Sequence, residues 1–462
     1  MRSAFTVANP SVDTFCALNY SPFLESFRQP RGGKKSVRLG EMVSAVGPAY
    51  GTVFTRIDCH PSHGVELISQ SDMFSAEPAG RVVRLDSMTN PERHLVQKWQ
   101  VLIAGAGTLG ETELYGRPII ADARLEGKYV GPDALALTFK EPGSVDNLYV
   151  YAFLCTDIGV SLMRSTSYGT KLLRFWTNAV RKLCIPEAEQ AVKKEVAKLI
   201  RTAVLNREIY IHEIRAARQV IENLPEVRKA LSASDAQRAR CTIATGPFVT
   251  LGARNHAALG AACEVLANHW KSRIADLLEP NGIYNGPRFA RTPCKKPFGI
   301  DFLDQRDVFA IRPVARRIVA PRISDRLLYV PSHALIVASH GQMSEGSLFG
   351  HVETAAFGLH RCGITQDILR VLPKPEYHDF LLAFLSSRLG FLLLKSTAIG
   401  TSIPMMHTGL LAELPHPPMT DDVLAQISTH VQAAIKARAA SETAENEAVR
   451  IIEEEVLPTW LA

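Results

Sequence analysis

The sequence predicts a mixed α/β (α+β) domain that occurs twice, each copy followed by a long helix, with the two helices paired as an antiparallel coiled coil. Three observations predict this. Ordered blocks of sequence recur about 235 residues apart, two long stretches carry heptad-like apolar seams, and the residues before each seam alternate short apolar runs with glycine-rich turns.

The blocks justify the duplication. "FTRIDCHPSHGVELISQSDMF" (Phe54 to Phe74) matches "FARTPCKKPFGIDFLDQRDVF" (Phe289 to Phe309) at Phe54/Phe289, Arg56/Arg291, Cys59/Cys294, Gly64/Gly299, Gln70/Gln305, Asp72/Asp307 and Phe74/Phe309. "VLIAGAGTLGETELYG" lies on "LIVASHGQMSEGSLFG" and keeps Ala104/Ala338, Gly107/Gly341, Glu111/Glu345, Leu114/Leu348 and Gly116/Gly350. "YAFLCTDIGVSLMRSTSYGT" matches "LAFLSSRLGFLLLKSTAIGT" at nine of twenty positions. Three blocks in one order, at offsets drifting only from 235 to 231, define a repeated unit of about 170–180 residues.

From the N-terminus, residues 1–35 form an extension outside the repeat. The first domain occupies 36–186 and its helix 187–230; the second domain occupies 231–417 and its helix 418–462. Inside each domain one amphipathic helix is expected, around Leu148 to Arg164 and around Phe380 to Lys395. From Glu187 to Leu224, the residues Val192, Val196, Leu199, Ala203, Tyr210, Ile214, Ala217, Ile221 and Leu224 recur at three- and four-residue steps. From Asp421 to Val456 a thinner seam of Ile427, Val431, Ile435, Val449, Ile452 and Val456 is interrupted by "KARAASETAENEA". Two such stripes pack most simply on each other; the alternative is that each packs on its own domain.

"VLIAGAGTLGE" poses a different question, because Gly105, Gly107 and Gly110 fit the G-x-G-x-x-G of a dinucleotide site. That site needs a helix opening at the glycines, to hold a pyrophosphate on its free N–H groups. Gly116 and Pro118 follow at once, and glycine costs roughly 1 kcal/mol and proline about 3 kcal/mol inside a helix. A strand, a turn and a second strand are therefore expected, and a nicotinamide-dependent oxidoreductase remains only as an alternative. "CHPSH" (Cys59 to His63) offers three side chains of metal-ligating type without a second ligand pair at zinc-like spacing, so it reads as a surface loop. The eight cysteines form no C-x-x-C pair, which fits a reduced cytoplasm. The most apolar run, "FLLAFLSSRLGFLLL", is too short to span a bilayer and contains Arg388, so no membrane partner is expected.

The chain has 462 residues, more than one ordinary core accommodates, with 46% hydrophobic and 21% charged residues. Its formal charge is +6, and the cations cluster: "RGGKKSVR" has four and no acid, and Arg306 to Arg326 holds six arginines against two aspartates. Such clusters suit a polyanionic partner.

The repeated pattern resembles the specificity subunit of type I restriction-modification systems. The residues that carry the resemblance are the strand running into a glycine turn, a helix ending near Gly169-Thr170 and Gly400-Thr401, and a proline exit into the long helix. Those exits are "LCIPEAEQ" (Leu183 to Gln190), whose Glu189-Gln190 is similar to the family's Glu-Gln, and "LPHPP" (Leu414 to Pro418); the second copy, "MTDDVLAQ", departs from the family there. The resemblance implies two target-recognition domains separated by conserved spacer helices, binding double-stranded DNA at a bipartite asymmetric site. It implies a non-catalytic chain with no cofactor of its own, docked to two copies of a DNA methyltransferase subunit that carries S-adenosylmethionine, in a phage-defence complex that accommodates a restriction or translocase subunit. The sequence agrees in having neither an Asn/Asp-Pro-Pro-aromatic methyltransferase motif nor a P-loop. A free-standing sequence-specific DNA-binding regulator is the other alternative.

Duplication also sorts the residues. Identical positions such as Gly64/Gly299, Gln70/Gln305 and Asp72/Asp307 are expected to be scaffold, since two domains reading different half-sites cannot share their base-contacting set. Shared cations such as Arg56 and Arg291 suit phosphate, or a structural ion pair. Lys34, Lys35, Lys295, Lys296, Arg316, Arg317 and Arg322 are read as unshared DNA-binding cations, with Arg38 beside them. Binding is then expected to fall steeply with salt, log K dropping by roughly 0.9 per phosphate neutralised, and to weaken on charge reversal of Arg316 and Arg317.

Overall fold

A computed structural model describes residues 27, 35–47, 55–86, 91–109, 113–237, 270–295, 297–342, 347–400 and 403–461. The chain divides into two compact units, Met1–Glu208 with Ala440–Ala462, and Ile209–Ala439.

In the first unit, Val101–Ala104 is buried at every position because it is a central strand, and the apolar run needs no alternation there. It lies in a four-stranded antiparallel sheet ordered Val43–Gly47, Ala134–Phe139, Val101–Ala104, Pro118–Ile120. A second sheet is ordered Arg81–Val83, Val65–Ile68, Tyr129–Val130, antiparallel and then parallel. The second unit repeats both. Its sheets run Leu278–Asn285, Ile368–Pro373, Leu335–Ala338, Val352–Thr354, and Arg316–Ile318, Ile300–Leu303, Gly363–Ile364. Even the register recurs: Val101 faces Leu137 and Leu335 faces Val371, and Leu67 faces Arg81 where Phe302 faces Arg316.

The glycine-rich stretch is strand, turn and strand. Gly116, with φ of 85°, donates its N–H to the Ala104 carbonyl (2.9 Å), and Gly350, with φ of 90°, does the same to Ala338 (2.9 Å). Left-handed backbone at both positions explains why glycine stands there. Pro118 then starts the strand that pairs back on Val101–Ala104. With antiparallel neighbours on both sides of that strand, a parallel dinucleotide-binding unit is not formed there, so the glycine pattern gives the oxidoreductase alternative no support.

The single amphipathic helix expected in each domain is instead a pair, Val145–Leu154 with Asp157–Arg164, and His378–Ser386 with Arg388–Ser396. In the second unit the two axes bend by 82°. Thr156 and Ser387 cap the second helix of each pair, accepting from the N–H of Gly159 (2.9 Å) and Gly390 (3.2 Å). A Cβ at Gly159 would lie 2.2 Å from the Phe153 carbonyl oxygen, and one at Gly390 2.0 Å from that of Phe384, so the bend demands glycine in both copies. Among the described residues no single helix is long and apolar enough to cross a membrane.

The first long helix runs Gln190–Glu222, shorter than the apolar seam suggested, and a separate helix starts at Pro225, whose missing N–H suits a first turn. The second runs Asp421–Ile451, followed by a π turn at Ile452–Val456. Each unit holds one portion of both. Within the first unit Val196, Ile200 and Val204 share one core with Ala448, Ile451, Ile452 and Val456 and with Leu148 to Leu154. The stripe is thus divided between the opposite helix and the domain. Arg207 pairs with Glu445, which also accepts from the Tyr151 hydroxyl, all three buried. Within the second unit Glu213 meets His430 (2.7 Å), and buried Arg438 pairs with Glu353 (2.8 Å) while donating to the Tyr210 hydroxyl (3.3 Å). The partner numbers fall on one helix as they rise on the other, an antiparallel sense. Arg207 and Arg438 are separated by 231 residues, as are the buried pairs Val196/Ile427 and Ile200/Val431, so the repeat extends into the helices.

Candidate nucleic-acid interface

Three of the pairs shared by both copies, Gln70/Gln305, Asp72/Asp307 and Gly64/Gly299, are built against the backbone. Gln70 donates to the Ala106 carbonyl (2.5 Å) and Gln305 to that of His340 (3.1 Å). Asp72 accepts from the N–H of Ser69 (2.9 Å), and Asp307 from that of Asp304 (3.2 Å). A Cβ on Gly64 would collide with Cys59 Sγ and the Val83 carbonyl, and one on Gly299 with Cys294 Sγ and the Ile318 carbonyl, all within 2.5 Å.

Two backbone hydrogen bonds that hold one loop recur in each unit, although Gly64 is extended where Gly299 has φ of 76°. Cys59 donates its N–H to Val82 and Cys294 to Arg317, both at 3.1 Å; the turn closes by His63 N–H to the His60 carbonyl (2.9 Å) and by Phe298 N–H to the Lys295 carbonyl (3.0 Å). The stems share these bonds and the tips share no residue. In the first, His60 and His63 are exposed, with His60 Nδ1 accepting from the Ser62 N–H (3.3 Å). In the second, Lys295 is exposed and the Phe298 ring is 73% exposed.

The predicted cations fall into two groups. Lys35, Arg38, Arg56, Lys295 and Arg322 are exposed. Arg291, Arg316 and Arg317 are partly buried and engaged. Arg291 binds Asp304 (2.9 Å), Thr365 (2.7 Å) and Gln366 (2.7 Å), and its guanidinium lies 5.2 Å from the Phe302 ring centroid, as does that of Arg316. Arg316 also pairs with Asp304 (2.6 Å), and Arg317 with Asp301 (2.8 Å) while donating to the Phe298 carbonyl (2.9 Å). Lys34 and Lys296 lie outside the described residues.

One assignment needs correction. Arg316 is not unshared: strand register puts Arg81 in its place, paired with Asp58 at 3.4 Å. Extending the 235-residue offset one strand further, so that "RVV" lies on "RRI", would have found it. Conversely Arg56 and Arg291 share a position and not an environment, because Asp304 in the second copy corresponds to Ser69 in the first.

No family model matches the chain, and no curated protein does. Solved structures that are similar along nearly its whole length include subunits of type I restriction-modification systems. One is the S subunit of a type I restriction-modification system from M. genitalium, at 12% identity, covering 94% of this chain and 97% of that one with a TM-score of 0.32. Another is the HsdS subunit from Thermoanaerobacter tengcongensis, at 16% identity, 93% and 97% coverage and a TM-score of 0.26. A third comes from work on complex assembly and conformational transition of the type I R-M system, at 15% identity, 93% and 98% coverage and a TM-score of 0.26. Likeness at this level assigns no function; the chain's own repeat carries the reading below.

Proposed function

We propose that the chain is the DNA-specificity subunit of a type I-like restriction-modification or methylation-based defence complex, each unit reading one half of a bipartite asymmetric site. The observation that supports it most is one sheet topology built twice in the same register, with loop stems that share their backbone hydrogen bonds and loop tips that share no residue. Two copies of one scaffold suit two similar tasks, and different tips suit two different half-sites. Chemistry and S-adenosylmethionine belong to methyltransferase subunits docked on this chain, two copies matching its two repeats. Exposed Lys35, Arg38, Arg56, Lys295 and Arg322 then contact phosphate or base edges, while Arg291, Arg316 and Arg317 support the sheet from which the second loop projects.

The test is co-expression of the chain with the methyltransferase subunit proposed as its partner, followed by methylome sequencing. Two unlike half-sites separated by a fixed gap are expected. A single contiguous or palindromic motif, or specific DNA binding with no methyltransferase co-purifying, would favour the free-standing regulator instead.

A further inference from the structure

The two matched turns, His60–His63 and Lys295–Phe298, carry an inference that rests on the proposed function and names which residues do the reading. We infer that these turns are the base-reading loops of their units, and that Phe298 packs against the C5-methyl of a thymine in the half-site of the second unit.

The position argument comes from duplication. Each turn spans four residues between a Cys and a Gly, is closed by the same i to i+3 hydrogen bond, and hangs on the same strand, Arg81–Val83 or Arg316–Ile318. The stems share the Cys N–H bond and the i to i+3 closure and differ at Gly64, extended, against Gly299, with φ of 76°, and at Val82 against Arg317, while the tips share no residue, so the tips are where the two loops differ most.

The chemical argument comes from Phe298. Its backbone is held at both ends, its N–H donating to Lys295 and its carbonyl accepting from Arg317 Nε (2.9 Å), with Cys294 Sγ 3.4 Å from the same oxygen. Arg317 is itself fixed by Asp301 (2.8 Å). A ring 73% exposed on a backbone this constrained is projected rather than loosely placed. Exposed Lys295 beside it supplies a phosphate contact and Phe298 an apolar one, and the apolar feature of a major-groove base edge is the thymine methyl. The tip of the first unit has no apolar side chain beyond Pro61 and offers imidazole donors and acceptors from His60 and His63, which suit polar base edges. The two loops thus ask for different bases.

The experiment uses the full chain with its methyltransferase. The modified motif is first determined, and binding is then measured to duplexes in which each thymine of the site is replaced singly by uracil, which removes only the methyl. For the native chain, one replacement in one half-site is expected to weaken binding about fourfold, the worth of one buried methyl group. Phe298→Ala, at a solvent-exposed position, is expected to leave the melting temperature unchanged, abolish that sensitivity and relax the motif at that base pair alone. His60→Ala with His63→Ala is expected to relax the other half-site only. If Phe298→Ala keeps the motif and every uracil sensitivity, the inference fails while the bipartite reading stands. If it loses the methyltransferase with the sequence preference intact, the ring is a protein contact and the inference is overturned. If the native chain yields no bipartite motif, the proposed function fails and takes this inference with it.

Discussion

Asp307 shows how much of a residue's behaviour its surroundings set. Burial pushes its carboxyl up to about 6, against the lowering influence of the Asp304 N–H, Arg306 and Arg316, while the Asp304 carboxylate adds to the rise. An acid whose pKa is higher folded than unfolded binds extra protons in the folded state between those two values. Its contribution to stability is therefore most favourable below about 4, declines as pH rises toward 6, and is least favourable above that. Relative to Asp307→Asn, the native protein is expected to gain melting temperature as pH falls from 7 to 4; a constant difference across that range would mean that the carboxyl titrates alike in both states. Sequence identity between the copies found Asp307 and Gln305 as scaffold correctly, because a backbone-bonded side chain must recur wherever the backbone does. It did not show that Arg291 is engaged and Arg56 exposed. That difference depends on Asp304 against Ser69, thirteen residues and one strand away.

At the scale of elements, the helix break was hidden in the sequence by its own composition. Apolar residues resume at helical spacing after the short polar interruptions in "AFLCTDIGVSLM" and "LAFLSSRLGFLLL", so periodicity alone joins two helices into one. The local signal was a capping hydroxyl three residues before a glycine, Thr156 with Gly159 and Ser387 with Gly390. Gly159→Ala and Gly390→Ala are each expected to destabilise their own unit by more than about 2 kcal/mol, since the new methyl meets backbone that cannot give way. Thr156→Ala is expected to cost about 1 kcal/mol, the worth of one cap. Denaturant melts of the three variants check the order; equal losses would mean that the close approach at the glycines relaxes freely.

At the scale of the whole molecule, the long helices are the natural candidates for setting the gap in a bipartite site. The first has 33 residues, roughly 50 Å at 1.5 Å per residue, and a turn of B-DNA is about 34–36 Å. Removing one heptad from both helices together, about 10 Å from each, is expected to shorten the preferred gap by about three base pairs and leave both half-sites unchanged. Removing it from one helix alone is expected to unfold the chain, because buried Arg207 or Glu445 would lose its partner at about 3–5 kcal/mol. Methylome sequencing reads the gap, and a gap indifferent to the paired deletion would show that the helices do not set it. By itself the sequence determined the duplication, the strand and turn at "VLIAGAGTLGE", and the two apolar stripes. Each of these is a local or self-similar pattern, legible without knowing what packs against it. Tertiary structure decided the rest. It divided each stripe between the opposite helix and a domain core, matched Arg81 to Arg316, and tied up three of the predicted cations with Asp301 and Asp304. Those outcomes turn on which side chains meet across long sequence separations, and neither periodicity nor charge clustering records that.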